Sequence, residues 1–132
     1  MKVKVFMIAK NDDGVKGKKI VCEGSKDSVV PVERDVEGSL KPIAAALNDL
    51  FALKSPTYSD YQNAVARSTM KVTETELVDG KVIVNLSGTP SFADACDPYR
   101  FEAQIRETVE QYGWSKNALI YVNGVRIEKV GR

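Results

Sequence analysis

Lysine and valine alternate through Lys2-Val3-Lys4-Val5, and the chain then runs wholly apolar from Val5 to Ala9. Period-two alternation ending in an apolar run predicts a strand over Lys2–Ala9, exposed at its start and entering the core at its end. "KNDDGVKGKK" follows as a polar turn, and "IVCEG" predicts a short strand from Ile20 to Gly24. Alternation returns in "DSVVPVERDVEG", with Val30, Val32 and Val36 prominent. Pro31 has no N–H to give to a ladder, so this strand belongs at a sheet edge.

From Ser39 to Leu53 the period becomes helical. Leu40, Ile43, Ala44, Leu47, Leu50 and Phe51 fall on one face. Ser39 is placed to cap this helix, and Pro42 sits in its first turn, where a missing N–H costs little. "KSPTYSDYQNA" reads as a loop. Two strands, Met70–Val78 and Lys81–Leu86, flank Asp79-Gly80, a type I′ hairpin signal. That turn sets Leu77 against Val82, Thr75 against Val84 and Thr73 against Leu86, with Glu74 and Glu76 on the other face. A second helix is predicted to start with Asp97 as N-cap and Pro98 as first helical residue. Phe101, Ile105, Val109 and Tyr112 form its apolar stripe, with Thr108 beside them, and Gly113 ends it. "NALIYV" and "VRIEKV" predict a last hairpin about Asn123-Gly124, with Ile120, Val122, Val125 and Ile127 on one face.

The order is strands, helix, hairpin, helix, hairpin. This predicts an α+β fold: a compact mixed β-sheet with two helices packed on one face. No repeat or linker interrupts it, so residues 1–132 are expected to form a single domain, large enough to bury a core without metals.

Charge narrows the functions. Lys and Arg number 19 and Asp and Glu 18, a formal charge of +1 that provides no basic surface for nucleic acid. Histidine is absent, which removes the commonest general base and nitrogen ligand. No apolar run is long enough to span a bilayer. "GVKGKK" lacks the spacing of a phosphate-binding loop, and "NDDG" lacks the alternating oxygens of a calcium loop. Asn85-Leu86-Ser87 matches a glycosylation sequon but lies inside a predicted strand. No catalytic, cofactor-binding or metal-ligating set emerges, and the chain reads as a non-enzyme.

The most suggestive chemistry lies in "SGTPSFADACDPYR", residues 87–100. Cys22 and Cys96 leave three readings open. They are two buried thiols, which pack as small hydrophobes. Or they form a disulfide, which suits an exported protein and adds about 4 kcal/mol by chain entropy. Or Cys96 is a nucleophile near a helix N-terminus, though without a base. Tyr58 and Tyr61 in the loop, and Trp114 after the second helix, are aromatics able to stack on a sugar or anchor a partner.

"VPVERDVEG", "LKPIAAALNDLFALKSP", "MKVTETELVDGKVIVNLSG", "FEAQIRETVEQYG" and "ALIYVNGV", in that order, resemble the GerMN domain of bacterial sporulation and spore-germination lipoproteins. The resemblance runs from about Val3 to Val125. It is carried by Arg34, Asp79, Gly80, Val82, Val84, Leu86, Ser87, Gln104, Thr108, Val122 and Gly124. The chain departs from the family pattern at Leu53-Lys54-Ser55 and in "ACDPYR". The resemblance implies a fold like the ring-building domains of secretion and sporulation complexes, and a scaffold role rather than catalysis. It also implies an extracytoplasmic location, with membrane anchoring through an N-terminal signal that this chain does not carry. Envelope or sporulation-complex proteins, or further copies of the chain, are the expected partners. The surface expected to meet them comprises Tyr58, Tyr61, Arg106, Glu107, Glu110, Val32 and Arg34. A peptidoglycan- or glycan-binding surface built on the loop aromatics is the alternative.

Overall fold

The alternation at the N-terminus does form a strand. In a computed structural model that describes residues Met1–Arg132, β1 spans Lys2–Ala9, with Val3, Val5, Met7 and Ala9 buried. It pairs antiparallel with β3, Ser28–Asp35, from Lys2↔Asp35 to Ala9↔Ser28. The second strand is displaced from its expected place. β2 is only Lys18–Lys19, whereas Ile20 to Gly24 runs without regular pairing. Ile20 is instead buried with Ile8 and Val29, and Cys22 is held by a bond to another part of the fold.

β3 is an edge strand beyond its first two residues, because β2 reaches only Ser28 and Val29. Pro31 lies opposite Phe6, whose N–H and carbonyl turn away from β3. Pro31 therefore occupies an outward-facing position of the ladder, where a missing N–H breaks no pair and leaves one donor fewer on the open edge.

Helix α1 is Pro42–Ala52 and buries Ile43, Ala46, Leu47, Leu50 and Phe51. It starts later than the apolar spacing implies. Lys41 is the N-cap, Ser39 Oγ accepts from the Lys41 N–H, and Leu40 precedes the helix with its side chain fully in solvent. The segment read as a loop contains a small hairpin, β4 (Thr57–Tyr58) and β5 (Tyr61–Gln62), that extends the sheet beside β1 through Ile8↔Gln62.

β6 (Thr69–Val78) and β7 (Lys81–Thr89) form the long hairpin. Asp79 and Gly80 both take positive φ, 52° and 77°, as a type I′ turn requires. Leu77↔Val82 and Thr75↔Val84 pair as the turn dictates. The third pair does not form: a bulge at Thr73 slips the register, so Leu86 faces Val72. β8 (Leu119–Val122) then runs parallel to β7, and β9, only Val125–Arg126, turns back from it. The last predicted strand is thus mostly a 3₁₀ turn, Ile127–Lys129, which buries Ile127 while Val125 stays exposed.

The fold is α+β, but its strands form two sheets rather than one, ordered β2-β3-β1-β5-β4 and β6-β7-β8-β9. The two helices contact each other and both pack on β1. α1 packs between β1 and β6, and α2, Asp97–Val109, lies along β1. Side chains of α2 and of the turn that follows it occupy the edge of β1 that β5 leaves open. Gln111 donates to the Lys4 carbonyl and accepts from its N–H, Thr108 accepts from the Phe6 N–H, and Gln104 donates to the Phe6 carbonyl. A helix thereby satisfies strand groups that would be costly to leave unpaired. One core of 20 buried residues joins both sheets and both helices.

Candidate interaction surface

Cys22 and Cys96 are joined: the sulfurs are 1.98 Å apart and the Cα atoms 5.9 Å. The bond ties the irregular segment after β2 to the residue before α2. A buried charge cluster ties the same two segments again. Arg100, on the first turn of α2, donates Nε to Asp27 at 2.8 Å and Nη1 to Asp94 and Asp97, both at 2.9 Å. Asp97 is not the helix cap. Its carboxylate accepts from the Ala93 N–H and Arg100; Cys96 is the N-cap, and Asp94 accepts from the Cys96 and Asp97 N–H groups in the turn that leads into the helix. Burial raises the Asp27 pKa, but the Arg100 hydrogen bond, the Asn11 N–H and Lys10 outweigh it and hold the carboxyl below its ordinary value. For Asp94, partial burial is likewise overcome by Arg100 and the two backbone donors. The cluster was not visible in the sequence. Its one local trace is the spacing of Asp94, Asp97 and Arg100, three residues apart; Asp27 arrives only through folding.

Arg106, Glu107 and Glu110 share the outer side of α2. Arg106 is a hub, bonded to Glu102, Glu110, Glu128 and the Ala118 carbonyl, while Glu110 also accepts from the Ala118 N–H. These two residues pin the start of β8 to the helix. Glu107 faces Lys18 at 3.5 Å. Arg34 is also engaged, donating from two nitrogens to Asp49 at 2.8 and 3.2 Å and lying over the Tyr58 ring at 5.7 Å. Val32 packs half-buried against the main core, on the strand with the open edge. Tyr58 and Tyr61 do the same, and Lys16 stands 6.0 Å from the Tyr61 ring centre. The structure thus brings Arg34 and Tyr58 together and keeps them apart from Arg106, Glu107 and Glu110, which form a second group.

The apolar side chains that face solvent lie elsewhere. Leu40, Leu77 and Trp114 are 101%, 62% and 51% exposed and line one shallow groove with Pro42, Ile43 and Val82. Leu77 is on the core-facing side of its hairpin, opposite buried Val82, but beyond the point where α1 covers that side. Trp114 is held rigid by stacking on Tyr112, with ring centres 5.2 Å apart and 5° between planes. Lys41 and Glu76 flank the groove. Sequence periodicity assigned Leu40 and Leu77 to apolar faces and had no means of showing that those faces outrun the core. No group of three or more His, Cys, Asp or Glu side chains comes together as a metal site, and no helix is long and apolar enough to cross a membrane.

No family model and no curated protein sequence matches the chain. Its fold is similar to the solved structure of the tandem GerMN domains of the sporulation protein GerM from Bacillus subtilis, with a TM-score of 0.62 over 94% of this chain at 19% identity. The match spans 39% of that tandem-domain chain, so this chain corresponds to a minor part of its length. The domain is GerMN-like in fold.

Proposed function

We propose, from the fold it shares with GerMN domains, that this chain is a non-catalytic assembly domain of an extracytoplasmic protein that serves sporulation or germination. That shared fold is the observation that carries the reading. The Cys22–Cys96 disulfide supports the location, because such bonds persist in oxidising compartments and are rare where thiols are kept reduced. The assembly role is supported by the groove of Leu40, Leu77 and Trp114. Rigid aromatic and aliphatic side chains gathered in one exposed place, with a cation and an anion at the rim, have the make-up of a protein contact. The partner is an envelope or sporulation-complex protein or a second copy of the domain. Of the residues expected from sequence, Arg34 and Arg106 already have ion-pair partners within the chain, so the groove is the better-supported contact.

The test is photocrosslinking in the native cell from positions 77 and 114, with position 23 on the disulfide-linked segment as control. Protein adducts from 77 and 114 that are absent from 23 are expected. A chain that stays free at all three positions overturns the assembly role. Retention on purified cell wall that is lost with Tyr58→Ala and Tyr61→Ala would replace it with glycan binding.

A further inference from the structure

A recess of about 330 Å³ opens beside the end of β1 and the first turn of α2. Four cations line it, Lys10, Lys54, Arg67 and Arg100, against two carboxylates, Asp94 and Asp97. Asp27, buried behind the wall, pairs with both Lys10 and Arg100, so the local balance is four cations against three carboxylates, and the excess lies at Lys54 and Arg67. Arg67 is exposed and its guanidinium has no partner within the chain. Lys54 spends one donor on the Ser68 carbonyl at 3.1 Å. Arg100 is nine-tenths buried and locked in place through Nε and Nη1, and no bond within the chain uses its Nη2. The rest of the wall mixes Ala64, Ala66 and Ala93 with Ile8, Pro56 and the amides of Gln62 and Asn63.

We propose that this recess binds the C-terminal carboxylate of a peptide whose last residues are small. The planar fork of Arg67 suits a carboxylate, and Lys54 adds a second charge. Arg100 already faces three carboxylates, so its free Nη2 suits a neutral acceptor, the carbonyl of the last peptide bond. The fixed position of Arg100 means that little side-chain freedom is lost on binding. A phosphate dianion fits less well, because Asp94 and Asp97 share the lining and repel a second negative charge. A volume of this size lies at the lower end for small-molecule sites and matches two short residues rather than a long segment.

The full chain is titrated with tri-alanine as the free acid and as its C-terminal amide, following the backbone amide signals of Ala64 to Arg67 and of Ala93. The free acid is expected to give saturable shifts and the amide to bind at least tenfold more weakly. Arg67→Gln and Lys54→Gln are each expected to weaken the acid about tenfold with unchanged melting temperature. Equal affinity for acid and amide, no shift with either, or binding unaltered in both variants overturns the proposal. Inorganic phosphate displacing tri-alanine as well as unlabelled tri-alanine does overturns the peptide assignment, whereas no displacement at the same concentration supports it. The recess is separate from the groove probed by crosslinking at positions 77 and 114, so failure of either experiment leaves the other reading standing.

Discussion

The segment joined by Cys22 and Cys96 and the groove of Leu40, Leu77 and Trp114 solve opposite problems. In the first, groups that dislike burial are buried and each is matched: Asp27 and Asp97 find Arg100, and a covalent bond holds the two chain segments together. In the second, apolar side chains are left largely in water, with Trp114 alone stacked, on Tyr112. Internal matching at one place and its absence at another separate residues that stabilise the domain from residues free to contact something else. Arg34, Arg106, Glu107 and Glu110, which looked available in the sequence, each have an ion-pair partner within the chain.

Arg100→Met tests the matched region most severely. It leaves two buried carboxylates without their main cation, and a loss of about 3–5 kcal/mol is expected in urea unfolding. The pH dependence sharpens the point. Asp27 and Asp94 have depressed pKa values, so their contribution is present above the unfolded value of about 4 and is lost as pH falls through the folded values. In the variant Asp27 is buried with less positive charge and prefers the protonated form, while exposed Asp94 loses its main cation. The stability gap between the two proteins should therefore narrow from pH 6 to pH 3; a constant gap would show that the ion cluster is not its source.

Removing the disulfide with Cys22→Ser and Cys96→Ser together is expected to cost about 2–4 kcal/mol, read as a lower denaturant midpoint. The same shift should follow reduction of the native chain. Gln104→Ala comes next. It strips partners from the Phe6 carbonyl and the Ala64 N–H, and about 1–3 kcal/mol is expected, with faster hydrogen exchange at Ala64. Smallest is the effect on folding at the other region. Leu77→Ser should change stability by no more than about 0.5 kcal/mol while removing crosslinked adducts. A large loss of stability there would mean that Leu77 belongs to the core, and the contrast between the regions would fail.

Both I′ turns, the strand at Lys2–Ala9 and the apolar stripe of α2 were legible because each depends on neighbours in sequence: two turn residues that accept positive φ, or a period of two or 3.6. The candidate groove was legible only as single residues. Leu40 obeys the helical spacing of α1 yet lies before its first turn, since the helix begins at Pro42 and nothing covers the position. Thr73 has the right parity for Leu86 and is displaced by a bulge that no local rule announces.

Local chemistry thus determined β1, β3, the long hairpin and both helices to within a few residues, and the order of motifs carried the resemblance to GerMN domains. Folding in three dimensions decided the division into two sheets, the use of Gln104, Thr108 and Gln111 as partners for a strand edge, and the meeting of Asp27 with Arg100 across 73 residues. It also decided which apolar side chains were left outside. The physical reason is the same throughout. Periodicity reports which side of an element prefers burial, but whether a charge is matched or an apolar face is covered depends on what a distant segment brings to it.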